Sequence, residues 1–116
     1  MKLRIYHNPR CSKSRAALEL LETRGLEPQI IEYLREPPSA GALKELLRKL
    51  GVPAREIVRT GEDEFKRLDF DLADAGEDAI VELVAAHPRL LQRPIVELED
   101  AARIGRPPER VLELFE

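Results

Sequence analysis

The sequence is poor in the residues from which disulfides, metal sites and membrane anchors are built. Its 116 residues include one cysteine and two histidines. A lone thiol forms no internal disulfide, and His7 and His87 lie far apart, so the chain offers no ligand set for a redox metal. No apolar run approaches the roughly 20 residues that cross a bilayer. The opening MKLRIYHNPR also lacks the apolar core of a signal peptide. We therefore expect a cytoplasmic protein, without membrane association, whose thiol stays reduced.

The composition also lacks a strong charge of either sign. The formal net charge is −3, and no long basic run suggests a nucleic-acid partner. There is no repeat, low-complexity tract or linker, and 43% hydrophobic and 35% charged residues are typical of a globular protein. A chain of this length predicts one domain with a single core, and we expect it to be a monomer.

The first third of the chain predicts a strand, a helix and a second strand. Lys2–Tyr6 alternates polar and apolar residues, a helix begins close to Cys11 after Asn8-Pro9, and Gly25 is placed to end it. Gln29–Tyr33 is the second strand. A strand–helix–strand order with this connection favours a parallel pair with a right-handed crossover.

The middle of the chain predicts helices. Ser39 can cap a helix with leucines at 43, 46, 47 and 50, and Gly51 follows as its stop. Residues 52–75 are less regular, with short helices expected through Ile57 and through Phe65 and Leu68. Another helix is expected over 77–86, before Pro88.

The end of the chain returns to strands. Ile95–Glu99 reads as a strand, Arg103-Ile104 as its hairpin partner, and Pro107 as the start of a final helix. That helix would bear Val111, Leu114 and Phe115. Strands at both ends and helices between them predict an α/β fold, a three-layer sheet structure with a helical insertion at about 39–90.

The surroundings of Cys11 suggest a reactive thiol. A thiol attacks as its thiolate, and the first turn of a helix, with its unpaired N–H groups and positive dipole end, favours that form. Arg10, Lys13 and Arg15 add positive charge, and Ser12 and Ser14 can donate hydrogen bonds to the sulfur or to a bound oxyanion. The alternative is that Cys11 is a small buried hydrophobe, as most free cysteines are.

Two further features refine this hypothesis. Ser14 occupies the place where a C-x-x-C motif would supply a second thiol, so an external thiol must resolve any covalent intermediate on Cys11. Arg59 in IVRTGE, Arg93 in LQRPIVEL and Arg106 in RIGRPPE stand out only in context. Arg93 and Arg106 each precede a proline at an element boundary, where functional side chains are often displayed. Taken singly, an arginine in such a position is more often a solvated surface cation than a ligand, since the chain has many basic residues.

Together these segments resemble a known family. YHNPRCSKSR with its following helix, EYLREPPS, VRTGE, HPRLLQRPIV and GRPPERVLE are similar to the glutaredoxin-coupled arsenate reductase (ArsC-like) family, in the same order over residues 3–115. The resemblance implies a thioredoxin-like (glutaredoxin-like) fold with a mixed sheet and a helical insertion.

The resemblance also implies roles for single residues. Cys11 would be the nucleophile, and Arg59, Arg93 and Arg106 would match the triad that binds the oxyanion. Pro94 would match the cis-proline beside the thiol, while His7 and Ser14, with Arg15 next to them, would support the thiolate.

The chemistry that the resemblance implies uses no bound cofactor and no metal. Arsenate would dock on the arginines and the helix N-terminus, and the Cys11 thiolate would attack arsenic. Glutathione, as co-substrate, would attack the adduct, and glutaredoxin would take part in the reduction to As(III). Arsenite would then be released and Cys11 regenerated.

Two other functions stay open. The protein could be a glutathione-dependent thiol-disulfide oxidoreductase, or a non-catalytic redox or interaction protein like the Spx-type regulators. Ser14 counts against a C-x-x-C sensor. An anion site predicts that Arg59, Arg93 and Arg106 converge on Cys11, which a docking module would not require.

Overall fold

The computed structural model describes residues 2–116 and divides the chain into two compact units. The first unit combines the segment that ends at Glu36 with Arg93–Glu116, and the second unit is Pro37–Gln92. The second unit covers the segment in which the sequence predicts a helical insertion. That the two units make one domain stays a prediction.

The first unit is built on a four-stranded mixed sheet in the order β2-β1-β3-β4. Strands β1 and β2 are parallel, as predicted, whereas β1 pairs with β3 and β3 with β4 in antiparallel fashion. The elements along the chain are β1 (Arg4–Tyr6), α1 (Ser12–Thr23), β2 (Gln29–Ile31), β3 (Ile95–Glu97), β4 (Ala102–Ile104) and a 3-10 helix (Pro108–Phe115).

Strands β1, β2 and β3 are shorter than predicted, and β2 and β3 are so because turns begin inside the predicted segments. Strand β2 ends at Ile31, since the Glu32 carbonyl already accepts the backbone N–H groups of Arg35 and Glu36 at 2.9 Å. Strand β3 ends at Glu97, since the N–H of Leu98 donates to the Ala101 carbonyl at 2.8 Å and starts the hairpin turn.

The core of the first unit lies between one face of the sheet, helix α1 and the last 3-10 helix. Alternation through β1 and the residue before it places Leu3 and Ile5 on this face, and α1 and the 3-10 helix add apolar side chains above it. The buried members are Leu3, Ile5, Ala17, Leu21, Val96 and Val111, with Leu114 and Phe115 half-buried against them. The final helix is 3-10, since the N–H of Arg110 donates three residues back, to Pro107.

The second unit is helical. Its elements are α2 (Ala40–Leu50), a 3-10 helix (Ala54–Ile57), α3 (Asp63–Arg67), α4 (Glu77–Ala86) and a 3-10 helix (Pro88–Leu90). The Ser39 side chain caps α2 by accepting the N–H of Ala42 at 3.1 Å, and Gly51 ends it with a left-handed φ of 68°. No helix within residues 2–116 combines the length and the apolar character needed to cross a bilayer.

Candidate active site

A tight turn carries the chain from β1 to Cys11. The Asn8 carbonyl accepts the N–H of Cys11 and its side-chain oxygen accepts the N–H of Arg10, both at 3.0 Å. Pro9 between them has no N–H to satisfy. The turn ends with Cys11 as the N-cap of α1, with an extended backbone of φ −94° and ψ 120°.

The N-cap position favours the thiolate of Cys11. Burial, the largest single effect, opposes ionisation, but the backbone amide of Ser14, the charge and hydrogen bond of Arg93 and the amide of Lys13 outweigh it. The pKa of the Cys11 thiol is therefore lowered from its ordinary value. No acidic residue lies in the first turn of α1 to weaken this effect.

The register of the β3–β4 hairpin brings Arg93 and Arg106 together. Ile95 pairs with Ile104, and one step further the N–H of Gly105 donates to the Pro94 carbonyl at 2.8 Å. The next step sets Arg106 opposite Arg93. Two arginines that are 13 residues apart in sequence thus lie at one end of the same hairpin.

Arg106 reaches from this hairpin to the sulfur. Its Nε donates to the backbone carbonyl of Arg93 at 2.8 Å, and its Nη2 lies 4.0 Å from Cys11 Sγ. Arg93 also interacts with the Cys11 thiol, through its charge and a side-chain hydrogen bond, so the thiol has two guanidinium neighbours. The peptide bond between Arg93 and Pro94 is cis, as the resemblance implies, and that between Arg106 and Pro107 is also cis, which the sequence analysis missed.

His7 and Ser14 form a buried pair beneath the turn. Ser14 Oγ accepts the N–H of Asn8 at 3.0 Å and shares a hydrogen bond of 2.6 Å with His7 Nδ1. Burial, as the largest effect, lowers the pKa of His7. The Ser14 hydroxyl therefore holds the turn, and Ser14 acts on the sulfur through its backbone amide rather than through the hydroxyl that the sequence analysis expected.

The basic residues next to Cys11 differ in what their side chains contact. The Nη1 of Arg15 donates to the Pro9 carbonyl at 2.8 Å, so Arg15 braces the turn. Arg10 and Lys13 are exposed side chains on either side of the cysteine.

Arg59 belongs to the second unit, where it follows the 3-10 helix Ala54–Ile57. Its backbone N–H donates to the Leu90 carbonyl at 2.7 Å, and its guanidinium pairs with the carboxylate of Glu62. Sequence reasoning singled out Arg59 but missed Glu62, although a spacing of three residues between opposite charges was a signal for it. The convergence of Arg59 with Arg93 and Arg106 stays a prediction.

The geometry of the first unit suits a nucleophile that handles anions. A thiolate at a helix N-terminus is reactive, and guanidinium groups and free backbone amides bind oxyanions. Within residues 2–116 there is no group of three or more His, Cys, Asp or Glu side chains that could hold a metal ion.

Comparison with known proteins identifies relatives that extend over nearly the whole chain. The family model described as the ArsC family matches residues 6–114. The chain is 46% identical to the uncharacterized protein YfgD of Escherichia coli K12, over 97% of this chain and 96% of that protein. It is 45% identical to an arsenate reductase of Neisseria meningitidis serogroup A, over 95% of each chain.

A solved structure confirms the fold. The structure titled arsenate reductase from Vibrio cholerae superimposes with a TM-score of 0.92 at 46% identity, over 97% of each chain. The α/β, thioredoxin-like fold expected from the sequence is therefore confirmed.

Proposed function

The chain belongs to the ArsC family, and from this premise we propose that it is an arsenate reductase that uses Cys11 as its nucleophile. The observation that carries the proposal is the sulfur of Cys11 at the N-cap of α1 with Arg93 and Arg106 beside it. Two relatives that are 45% and 46% identical to this chain carry the name arsenate reductase, which supports arsenate as the substrate.

The proposed reaction begins with arsenate held by Arg93 and Arg106, with Arg59 as the third expected ligand. The thiolate of Cys11 attacks arsenic, an As–S bond forms, and an arsenate oxygen leaves as water after protonation. The guanidinium groups offset the negative charge that the thiolate and the oxyanion bring together. His7, Ser14 and Arg15 hold the turn that aims the sulfur.

The reductants of the proposed reaction are external thiols. Glutathione replaces a second arsenic-bound oxygen, and a glutaredoxin thiolate then attacks the glutathione sulfur. The electrons of that As–S bond stay on arsenic, which becomes As(III), while glutathione and glutaredoxin leave as a mixed disulfide. Water then releases arsenite from Cys11. Ser14 in place of a second cysteine supports this route, because the chain has no thiol of its own to resolve the adduct.

A coupled assay tests the proposal. The purified chain is mixed with glutathione, glutaredoxin, glutathione reductase and NADPH, and the NADPH consumed on adding arsenate is compared with the arsenite formed. We expect equal amounts of both, and neither in the Cys11→Ser variant. If arsenate gives no signal, NADPH consumption that this chain causes with a small disulfide substrate in the same mixture without glutaredoxin would instead identify a glutathione-dependent thiol-disulfide oxidoreductase.

A further inference from the structure

Gly105 lies where a side chain would not fit. A Cβ atom at this position would lie 2.8 Å from Cγ of Pro94 and 3.1 Å from Cγ1 of Val111. Carbon atoms in contact normally lie about 3.5–4.0 Å apart. Gly105 does not have the left-handed φ of Gly25 or Gly51, so the space beside Pro94, rather than the backbone angle, requires a glycine.

The close approach at Gly105 leads directly to Arg106. The N–H of Gly105 donates to the Pro94 carbonyl at 2.8 Å, and the N–H of Arg106 donates back to the Ile104 carbonyl at 3.0 Å, which closes a three-residue turn around the glycine. From this turn the guanidinium spans from the Arg93 carbonyl to the sulfur of Cys11.

We propose that Gly105 is a positioning residue for Arg106: its missing side chain lets the turn over residues 104–106 pack against Pro94 closely enough for the guanidinium to reach Cys11 Sγ. Pro94 is buried and its ring cannot rotate away, so an added Cβ displaces the turn instead. The Nη2 of Arg106, at 4.0 Å from the sulfur, is already at the limit of a hydrogen bond to sulfur. A shift of about 1 Å, enough to restore normal carbon contacts, takes it out of reach.

The role concerns charge as well as geometry. Arg106 is anchored on a backbone carbonyl, which is neutral, so its full positive charge faces the thiol and any anion that approaches it. This inference rests on the proposed function only in that arsenate would be the anion that Arg106 binds. The effect of the Arg106 charge on the sulfur of Cys11 does not depend on arsenate.

The experiment compares two alkylating reagents of similar size, neutral iodoacetamide and anionic iodoacetate, on the only cysteine of the chain. The ratio of the iodoacetate rate to the iodoacetamide rate reports the positive charge at the sulfur, whereas a change in access to the sulfur alters both rates alike. We expect Gly105→Ala and Arg106→Ala each to lower this ratio roughly threefold to tenfold, the effect of one charge a few ångströms away in water.

A double variant distinguishes an effect of Gly105→Ala that passes through Arg106 from a disturbance of the rest of the site. Because Gly105 acts through Arg106, adding Gly105→Ala to Arg106→Ala should lower the ratio no further. The matched control is Gly41→Ala, an exposed glycine whose added Cβ would meet only Ser39 Oγ, at an ordinary 3.9 Å, and it should leave the ratio unchanged. An unchanged ratio in Gly105→Ala, or an equal further drop in the Arg106→Ala background, overturns the proposal.

A second variant covers the case in which Gly105→Ala does not fold. Val111→Ala removes the contact at 3.1 Å and gives the displaced turn room, so Gly105→Ala/Val111→Ala is then measured against Val111→Ala in the same way. If that variant also fails to fold, Gly105 serves the folding of the first unit and the assigned role is wrong. Alkylation needs no arsenate, so a wild-type chain that is inactive in the coupled assay would refute the proposed function and leave this inference standing.

Discussion

The first unit of the chain buries a carboxylate, that of Glu97, although it also carries exposed ion pairs of Arg103 and Arg110 with Glu113. In the first unit Glu97 is 3% exposed, accepts the Tyr6 hydroxyl at 3.1 Å and pairs with Arg4 at 3.4 Å. Burial and then the Glu97 charge raise the pKa of Tyr6, so its hydroxyl keeps its proton and remains a donor. The paired charged side chains of the second unit are more exposed than Glu97: Lys44 and Asp78 are 53% and 87% exposed, and Arg59 and Glu62 are 23% and 24% exposed.

The arginines show the same difference. Arg106 is anchored by a neutral carbonyl, whereas Arg59 is paired with the carboxylate of Glu62. A charge acts more strongly where water is excluded, and a guanidinium without a carboxylate keeps its whole charge for an anion. The first unit therefore concentrates positive charge at its thiol, while the second unit neutralises the charge of Arg59 locally.

The largest effect we expect is that of Cys11→Ser. A serine hydroxyl in the same place is not ionised near neutral pH, so reduction of arsenate in the coupled assay should fall to the rate without enzyme. The thermal unfolding temperature, measured by circular dichroism, should stay close to that of the wild type. Residual activity above background would show that the reaction does not pass through the first unit's thiol.

The next prediction compares Arg93→Ala with Arg59→Ala. Removing Arg93 deletes a charge-assisted contact of about 1.5–3 kcal/mol, which corresponds to a loss of roughly 10- to 150-fold in kcat/KM for arsenate. Arg59→Ala should cost less, under about tenfold, because Glu62 already offsets its charge. Arg24→Ala, an exposed arginine of the first unit, is the control and should have no effect. A larger loss in Arg59→Ala than in Arg93→Ala would contradict the comparison.

Most of the fold could be predicted from local patterns. The helix over 77–86 follows from its apolar spacing and the proline after it, and α2 follows from Ser39 and Gly51. The ends of β2 and β3 could not be predicted, because they depend on which carbonyls accept the turn N–H groups. The strand order depends on long-range pairing, which periodicity does not encode.

The family resemblance pointed to Arg93, Pro94 and Arg106, but without it the candidate site was predictable only where one residue carries the signal. Cys11 is unique and precedes a helix, so its importance could be inferred. The meeting of Arg93 and Arg106 requires the register of the β3–β4 hairpin, and the role of Gly105 requires the distance to Pro94. Neither follows from composition or spacing, because several registers suit the same alternating residues.

A stability measurement sharpens the comparison of the two units. Tyr6→Phe removes a hydrogen bond to the buried Glu97 carboxylate and should lower the free energy of unfolding by about 1.5–3 kcal/mol. Lys44→Ala removes an exposed ion pair with Asp78 and should cost about 0.2–1 kcal/mol. Urea unfolding at neutral pH measures both, and added salt should weaken only the exposed pair. Equal losses in the two variants would mean that burial does not strengthen the charged contacts of the first unit.

The smallest effect we expect is a pH dependence carried by His7, the buried histidine of the first unit. Its pKa in the folded chain is lowered from 6.5, mainly by burial, so below pH 6.5 the unfolded chain binds a proton that the folded chain does not. Stability from this group is complete above pH 6.5 and falls as the pH drops toward the lowered pKa. The free energy of unfolding should therefore decrease more between pH 7 and pH 5 in the wild type than in His7→Gln. Parallel decreases in the two proteins would mean that the pKa of His7 is the same in the folded and the unfolded chain. Burial in the first unit would then have no effect on the charge of this side chain.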